Sequence, residues 1–368
     1  MALNCGIVGL PNVGKSTIFS AVTSAPAEAA NYPFCTIDPN IGMVSVPDKR
    51  LDEIVRLIPT KKVIPATVEF VDIAGLVKGA SQGEGLGNRF LASIREVGVI
   101  AHVVRCFDNP DIVHVSNRID PASDIETINI ELALADLETV EKRYDKQSKL
   151  SRVSKEMQKE NEKLLPLYER LIKCLGDGIP ARTLGLDEDE LALVYDLHLM
   201  TLKPVIYVCN VDEDAITEDN EYVKIVRAIA EKENAPVVVI CGKIESEIAA
   251  LESEEDRKEF LEASGLSESG LNPLIRAAYS SLGLRTFFTA GPDEDRAWTF
   301  KAGSKAPECA GIIHSDFEKG FIKAEVYSVD DLIAYGSEAK VREAGKLRLE
   351  GKEYIVQDGD IVFFRFNV

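Results

Sequence analysis

None of the seven cysteines belongs to a C-x-x-C pair; they stand at 5, 35, 106, 174, 209, 241 and 309, scattered and odd in number. That argues against a disulfide-stapled scaffold and a cysteine zinc site, and fits thiols packed as small hydrophobes in a reducing cytosol. No apolar run reaches the roughly 18 residues of a membrane-spanning helix. No signal peptide is readable either, so a cytoplasmic chain without a membrane partner is expected. Positive charge is scarce too. Lys and Arg total 42 against 61 Asp and Glu, a formal net charge of −19, which argues against indiscriminate binding to nucleic acid or anionic membrane. What the chain has is bulk: 368 residues, 45% hydrophobic, enough for a sizeable core and two or three domains.

The motif that organises the rest lies almost at the start. Residues 9–16 read G-L-P-N-V-G-K-S and match the phosphate-loop pattern G-x-x-x-x-G-K-[ST]. The short apolar run Cys5-Gly6-Ile7-Val8 before it predicts a buried strand, and Thr17 onward predicts a helix with Phe19 and Val22 on one face. Gly9 and Gly14 let the backbone turn its N–H groups inward, forming an anion nest at a positive helix terminus. Asn12, Val13, Gly14, Lys15, Ser16 and Thr17 are thus expected to touch a nucleotide, with Lys15 on its β- and γ-phosphates and Ser16 on Mg²⁺.

Further elements follow in the order of a Ras-like domain. The turn-rich loop Asn31 to Asn40 is where a first switch would lie, and Thr36 is its candidate to close over Mg²⁺ and the γ-phosphate. Val68 to Asp72 reads as a strand ending in Asp72-Ile73-Ala74-Gly75; Asp72 suits the magnesium shell and the Gly75 N–H the γ-phosphate. Next comes Leu76, where Ras-like enzymes carry a glutamine that orients the attacking water. A leucine can neither donate nor accept, so hydrolysis needs another group. His114, in the loop after the strand Val99 to Phe107, is one candidate, with a solvent-facing loop histidine as the alternative reading; His102 reads as a core residue. Asn12 is the other, because related enzymes with P-N-x-G-K use this asparagine to help hold K⁺.

Base reading is altered. After the apolar run 204–209, Asn210-Val211-Asp212-Glu213 occupies the place of the guanine-reading N-K-x-D motif, with Val211 for the lysine and Glu213 for the aspartate. The aspartate normally accepts two hydrogen bonds from guanine, so its loss weakens selection for guanine and favours ATP over GTP. A register shift to Asp212 keeps GTP open. Gly242 and Lys243 fall where the last loop of such a domain touches the base.

Between 125 and 175 the period changes. Ile130, Leu134, Leu137, Glu141 and Tyr144, then Met157, Asn161, Leu164, Tyr168, Leu171 and Leu175, run at coiled-coil spacing and predict an antiparallel helical hairpin. Residues 142–163 hold eight Lys/Arg and four acids, a local charge of +4; that tip is either an RNA contact or an ordinary solvated helix pair. From Thr286 short strand-like runs follow, among them Trp298-Thr299-Phe300, Gly311-Ile312-Ile313, Phe321 to Val326 and Ile361 to Phe364, as in a small β-grasp domain.

Taken together, residues 9–16, the loop ending at Thr36, Asp72 to Leu76, Asn210 to Glu213 and the C-terminal runs 316–322 and 351–360 closely resemble the YchF family of Obg-related, TRAFAC-class P-loop NTPases. The resemblance implies an α/β Ras-like G domain over 1–124 and 200–280, a coiled-coil insertion over 125–199 and a ubiquitin-like TGS domain over 284–368. It also implies ATP preferred over GTP, a histidine matching His114 in hydrolysis, and binding to ribosomes, with the large subunit the expected partner. Two functional classes remain: an NTP-hydrolysing switch, and a nucleotide-controlled ribosome- or RNA-binding module with incidental hydrolysis.

Overall fold

A computed structural model of the chain describes residues 3–24, 40–73, 86–109, 118–150 and 155–367. Two compact units emerge: Met1–Gly42 with Glu69–Leu274, and Met43–Val68 with Ile275–Val368.

The chain begins with β1 (Asn4–Val8) and α1 (Lys15–Ser24), the latter burying Ile18, Phe19, Ala21 and Val22. After β2 (Ile41–Ser45) come α2 (Lys49–Leu57) and β3 (Val63–Ile64), which belong to the second unit. Then follow β4 (Thr67–Asp72), α3 (Leu86–Glu96) and β5 (Val99–Arg105). Phe90, Leu91 and Ile94 of α3 are buried, as their helical spacing predicts. The hairpin helices α4 (Pro121–Leu150) and α5 (Lys155–Gly176) precede α6 (Glu188–Val194), which is started by an Asp187–Glu190 capping box. β6 (Val205–Asn210), α7 (Glu221–Glu233), β7 (Val237–Ile240), α8 (Gly242–Ala250) and α9 (Glu254–Ala263) complete the unit.

Its sheet runs β2-β4-β1-β5-β6-β7, with β1 parallel to β4 and β5, and β6 parallel to β5 and β7. Every residue of β5 and β6 is buried, as central strands covered on both faces require, including the polar His102, Arg105 and Asn210. The order reverses at β1, and the crevice beyond the strands' C-terminal ends is where such sheets bind ligands.

The hairpin forms as the spacing predicts, with one shift. On α5 the stripe Asn161, Leu164, Tyr168, Leu171 and Leu175 is buried. On α4 the buried face is Ala133 and Val140 with Leu137 and Tyr144 beside them, while Ile130 and Leu134 are 38% and 40% exposed and Glu141 faces solvent. The sequence reading placed the seam about a third of a turn away. The cause is a third surface: Ala181, Val194, Leu197 and Leu199 fold back onto the hairpin and draw Ala133 and Val140 into one core. Asp136 pins that return by accepting from both N–H and hydroxyl of Thr201 (2.7 Å each) and from Met200 N (3.0 Å).

The second unit resumes within α10 (Leu271–Ser281) and continues through β8 (Leu284–Thr289), β9 (Asp295–Lys301), α11 (Ala306–Ile313), α12 (Ser315–Lys319) and β10 (Phe321–Ser328). It ends with α13 (Val329–Tyr335), α14 (Glu338–Glu343), β11 (Arg348–Glu350) and β12 (Asp360–Phe366). The sheet order is β11-β10-β12-β8-β9-β3, and the last strand lies parallel to β8 between two antiparallel pairs, which is a β-grasp. Phe287, Phe300, Val326, Val362 and Phe364 fill its core.

Two expectations change here. Gly311 to Ile313, read as a strand, end the helix α11. Pro307 in the first turn and the Glu308 carboxylate accepting from Lys305 N (2.7 Å) start that helix, a local signal that three apolar residues do not carry. And residues 43–68, expected within the nucleotide domain, pack with the C-terminal unit: β3 extends its sheet alongside β9, and Arg50 of α2 pairs with Asp358 at 2.9 Å. Among the described residues no helix is long and apolar enough to cross a membrane.

Truncating Leu171, fully buried in the hairpin seam, to alanine should cost about 2–5 kcal/mol of local stability. Hydrogen exchange of the α4 and α5 amides reads that loss, and unchanged protection would remove Leu171 from the core.

Candidate nucleotide-binding site

Gly9 follows β1 where the strand's end meets β5; a Cβ there would stand 2.6 Å from Val103 O, so only glycine lets the loop leave the sheet at this point. The loop then turns through two left-handed residues, Asn12 (φ +63°) and Gly14 (φ +96°), before α1 starts at Lys15. Asparagine is among the side chains that tolerate this region best.

Gly14 is required for a second reason. A Cβ on it would lie 2.2 Å from Asn210 Nδ2, the atom that donates to Val13 O at 2.9 Å. The other end of the same amide, Asn210 Oδ1, accepts from Gly242 N at 3.0 Å. Asn210 therefore ties the end of β6 to the phosphate loop and to the start of α8. Asn210 also lines the cleft, where the sequence places it toward the base; these two bonds use one of the two hydrogens on Nδ2 and one of the two lone pairs on Oδ1.

Lys15 is buried at 8% exposure, and its Nζ donates to Leu10 O at 2.7 Å. Burial pulls its pKa below the ordinary lysine value, with Asp72 opposing. Asp72, at the end of β4, is pushed up chiefly by burial, while Lys15 and a hydrogen bond with the Ser16 hydroxyl hold it down. The three groups stand together as sequence order predicts. Ser16 and Thr17 are exposed in the first turn of α1. Asp72 and Ser16 offer only oxygen donors, the set that a hard divalent cation such as Mg²⁺ accepts.

The open space beside the loop is a cleft of about 790 Å³ lined by Asn12, Gly14, Thr17, Val211, Gly242 and Lys243 among others. At its rim Lys243 Nζ meets Glu213 Oε1 at 2.6 Å. Hydrogen bonding to Glu213 raises the Lys243 pKa. Phe107 and Asn109 also line the cleft and were missed; their signal is position, immediately past the C-terminal end of β5 at the switch point. His102 is buried in β5 against Tyr207 and pushed down to about 3, by burial first and then by Arg182 and Lys15, so it is a neutral core residue. Thr36, Gly75, Leu76 and His114 lie outside the described residues.

A phosphate loop between a buried parallel strand and its helix, a carboxylate at the end of β4 and a cleft at the switch point define a P-loop NTPase, here joined to a β-grasp unit. Residues 4–161 match the family described as 50S ribosome-binding GTPase, and residues 284–367 match the YchF-GTPase C-terminal family, described as a protein of unknown function. The ribosome-binding ATPase YchF of Bacillus subtilis is 58% identical over 370 residues, and that of Escherichia coli O157:H7 is 52% identical over 368, each covering 100% of both chains. The structure of the Schizosaccharomyces pombe YchF GTPase aligns with a TM-score of 0.89 at 37% identity, covering 99% of this chain and 97% of that one. The chain belongs to the YchF family.

Replacing Gly14 by alanine forces a Cβ into Asn210 at a left-handed φ. Nucleotide affinity measured by calorimetry should fall about a hundredfold or more with the fold retained; wild-type affinity would show that Asn210 is free to move away.

Proposed function

We propose that this chain is a Mg²⁺-dependent purine nucleoside triphosphatase that prefers ATP to GTP and works in the cytoplasm as a ribosome-associated switch. In this reading Lys15 neutralises the β- and γ-phosphates, Ser16, Thr36 and Asp72 hold the metal, and the Gly75 N–H senses the γ-phosphate. Bound Mg²⁺ supplies charge neutralisation at the phosphate oxygens. Leu76 offers no polar atom to water, so His114 is assigned to the attacking water, with K⁺ held by Asn12 as a second aid.

The observation that supports ATP is the turn after β6. Val211 is buried where the motif has its lysine, and the carboxylate of Glu213 is longer than aspartate and already paired with Lys243. A carboxylate out of place cannot satisfy the paired donors of guanine, which removes the usual basis for rejecting adenine. The relatives named ribosome-binding ATPase agree with this reading; the family and the yeast structure named GTPase keep a GTP-specific switch as the alternative. Shortening Glu213 to aspartate should shift the ATP/GTP affinity ratio toward GTP by about tenfold. Calorimetry with both nucleotides checks this, and tighter GTP binding by the unaltered protein would sink the ATP reading.

The second reading is a binding module whose nucleotide controls docking, carried by the +4 charge of residues 142–163. Two of those cations are partly spoken for: Lys142 pairs with Glu138 and Arg143 with Asp196. RNA contact through the hairpin tip or the β-grasp unit belongs to either reading. Single-turnover hydrolysis separates them. Strong stimulation by ribosomes, expected here, favours the switch; an unchanged rate with ribosomes bound favours the module.

A further inference from the structure

Arg105 is the bulkiest fully buried side chain among the described residues, and it has no part in the phosphate or metal chemistry assigned to Lys15, Ser16 and Asp72. It ends β5, beside the cleft rather than in it. Its Nε donates to Phe107 O at 3.2 Å and an Nη to Asn109 O at 3.0 Å, so one guanidinium holds two carbonyls of the segment that leaves the strand. The same guanidinium lies 4.5 Å from the centre of the Phe107 ring. From the other side, Asn220 Nδ2 donates to Cys106 O at 2.8 Å and the Tyr222 hydroxyl meets both carboxylate oxygens of Asp108 at 3.2 Å.

Burying a cation is costly, and an apolar side chain would fill the same volume more cheaply. What an apolar residue cannot do is fix two backbone carbonyls and a ring at once. A lysine cannot do it either, since a single ammonium lacks the planar fork. The held segment presents Phe107 and Asn109 to the cleft that Asn210 to Asp214 also line.

We propose that Arg105 is a positioning residue for the nucleotide: from inside the sheet it sets the Phe107–Asn109 wall that receives the base and ribose. This rests on the nucleotide reading of the cleft and extends it to a residue that touches no ligand. Loosening such a wall weakens binding of the non-reacting part of the substrate, and leaves the phosphate machinery of Lys15 and Asp72 in place.

The test compares the full-length wild type with Arg105→Lys, Phe107→Ala and the double variant, using Mg²⁺–ATP and inorganic triphosphate as separate probes. Arg105→Lys should raise the KM for ATP about tenfold with kcat falling less than twofold, and should leave triphosphate affinity unchanged. In the double variant the two losses should not add, because both act on one wall. Additive losses, equal weakening toward triphosphate, or an unchanged KM would overturn the proposal. If Arg105→Lys does not fold, Phe107→Ala alone decides: wild-type KM for ATP refutes the wall, and a raised KM with unchanged triphosphate affinity supports it. Failure of the wild type to bind any nucleotide removes the nucleotide reading together with this one, whereas binding that ignores both substitutions removes this one only.

Discussion

One carboxamide does the joining in the nucleotide unit. The phosphate loop, the end of β6 and the start of α8 are far apart in sequence, and each ends in backbone groups that no regular ladder satisfies. Asn210 meets two of them at once, giving a hydrogen to Val13 O and taking one from Gly242 N. Buried backbone groups without partners are costly, so the amide stabilises the loops and also fixes their spacing. The glycine at 14 and the left-handed turn at 12 follow from that constraint, because the loop has to pass within contact of the amide.

Around this joint the charges are sorted. At the phosphate end stand Lys15 and the N-terminus of α1, both favourable to anions, with the Asp72 carboxylate beside Lys15. At the far rim Asp212, Glu213 and Asp214 line the cleft with only Lys243 among them. On the nucleotide reading proposed above, this gradient favours the orientation with the polyphosphate at Lys15 before any specific contact forms. On a chain of net charge −19 that local inversion matters more than it would on a neutral one.

How far the sequence revealed this depended on how local each signal was. The phosphate loop, the strand ending at Asp72 and the buried stripe of α5 were legible because a few neighbouring residues carry them. Phe107, Asn109 and Arg105 were not, since their roles come from the sheet order, which sets β5 beside β1. The α4 seam slipped for a related reason: its period was right, but residues 181–199 decide which face is buried. Gly311 to Ile313 shows the limit of short apolar runs, where a proline and a reaching glutamate outweigh composition. Asn210 was legible as part of the base-side motif, and it lines the cleft, but its ties to Val13 O and Gly242 N were not legible, because they depend on how distant loops meet.

The pairing of β3 with β9 joins Val63 to Asp295, with more than two hundred residues between them. During synthesis from the N-terminus, the early segment waits while the entire NTPase unit and hairpin emerge, at ~5–20 residues per second, before its sheet exists. Its central strand β12 arrives last of all. A nascent chain of this kind carries β3 unpaired through most of its own translation, and termination before β9 has emerged leaves that strand without a home.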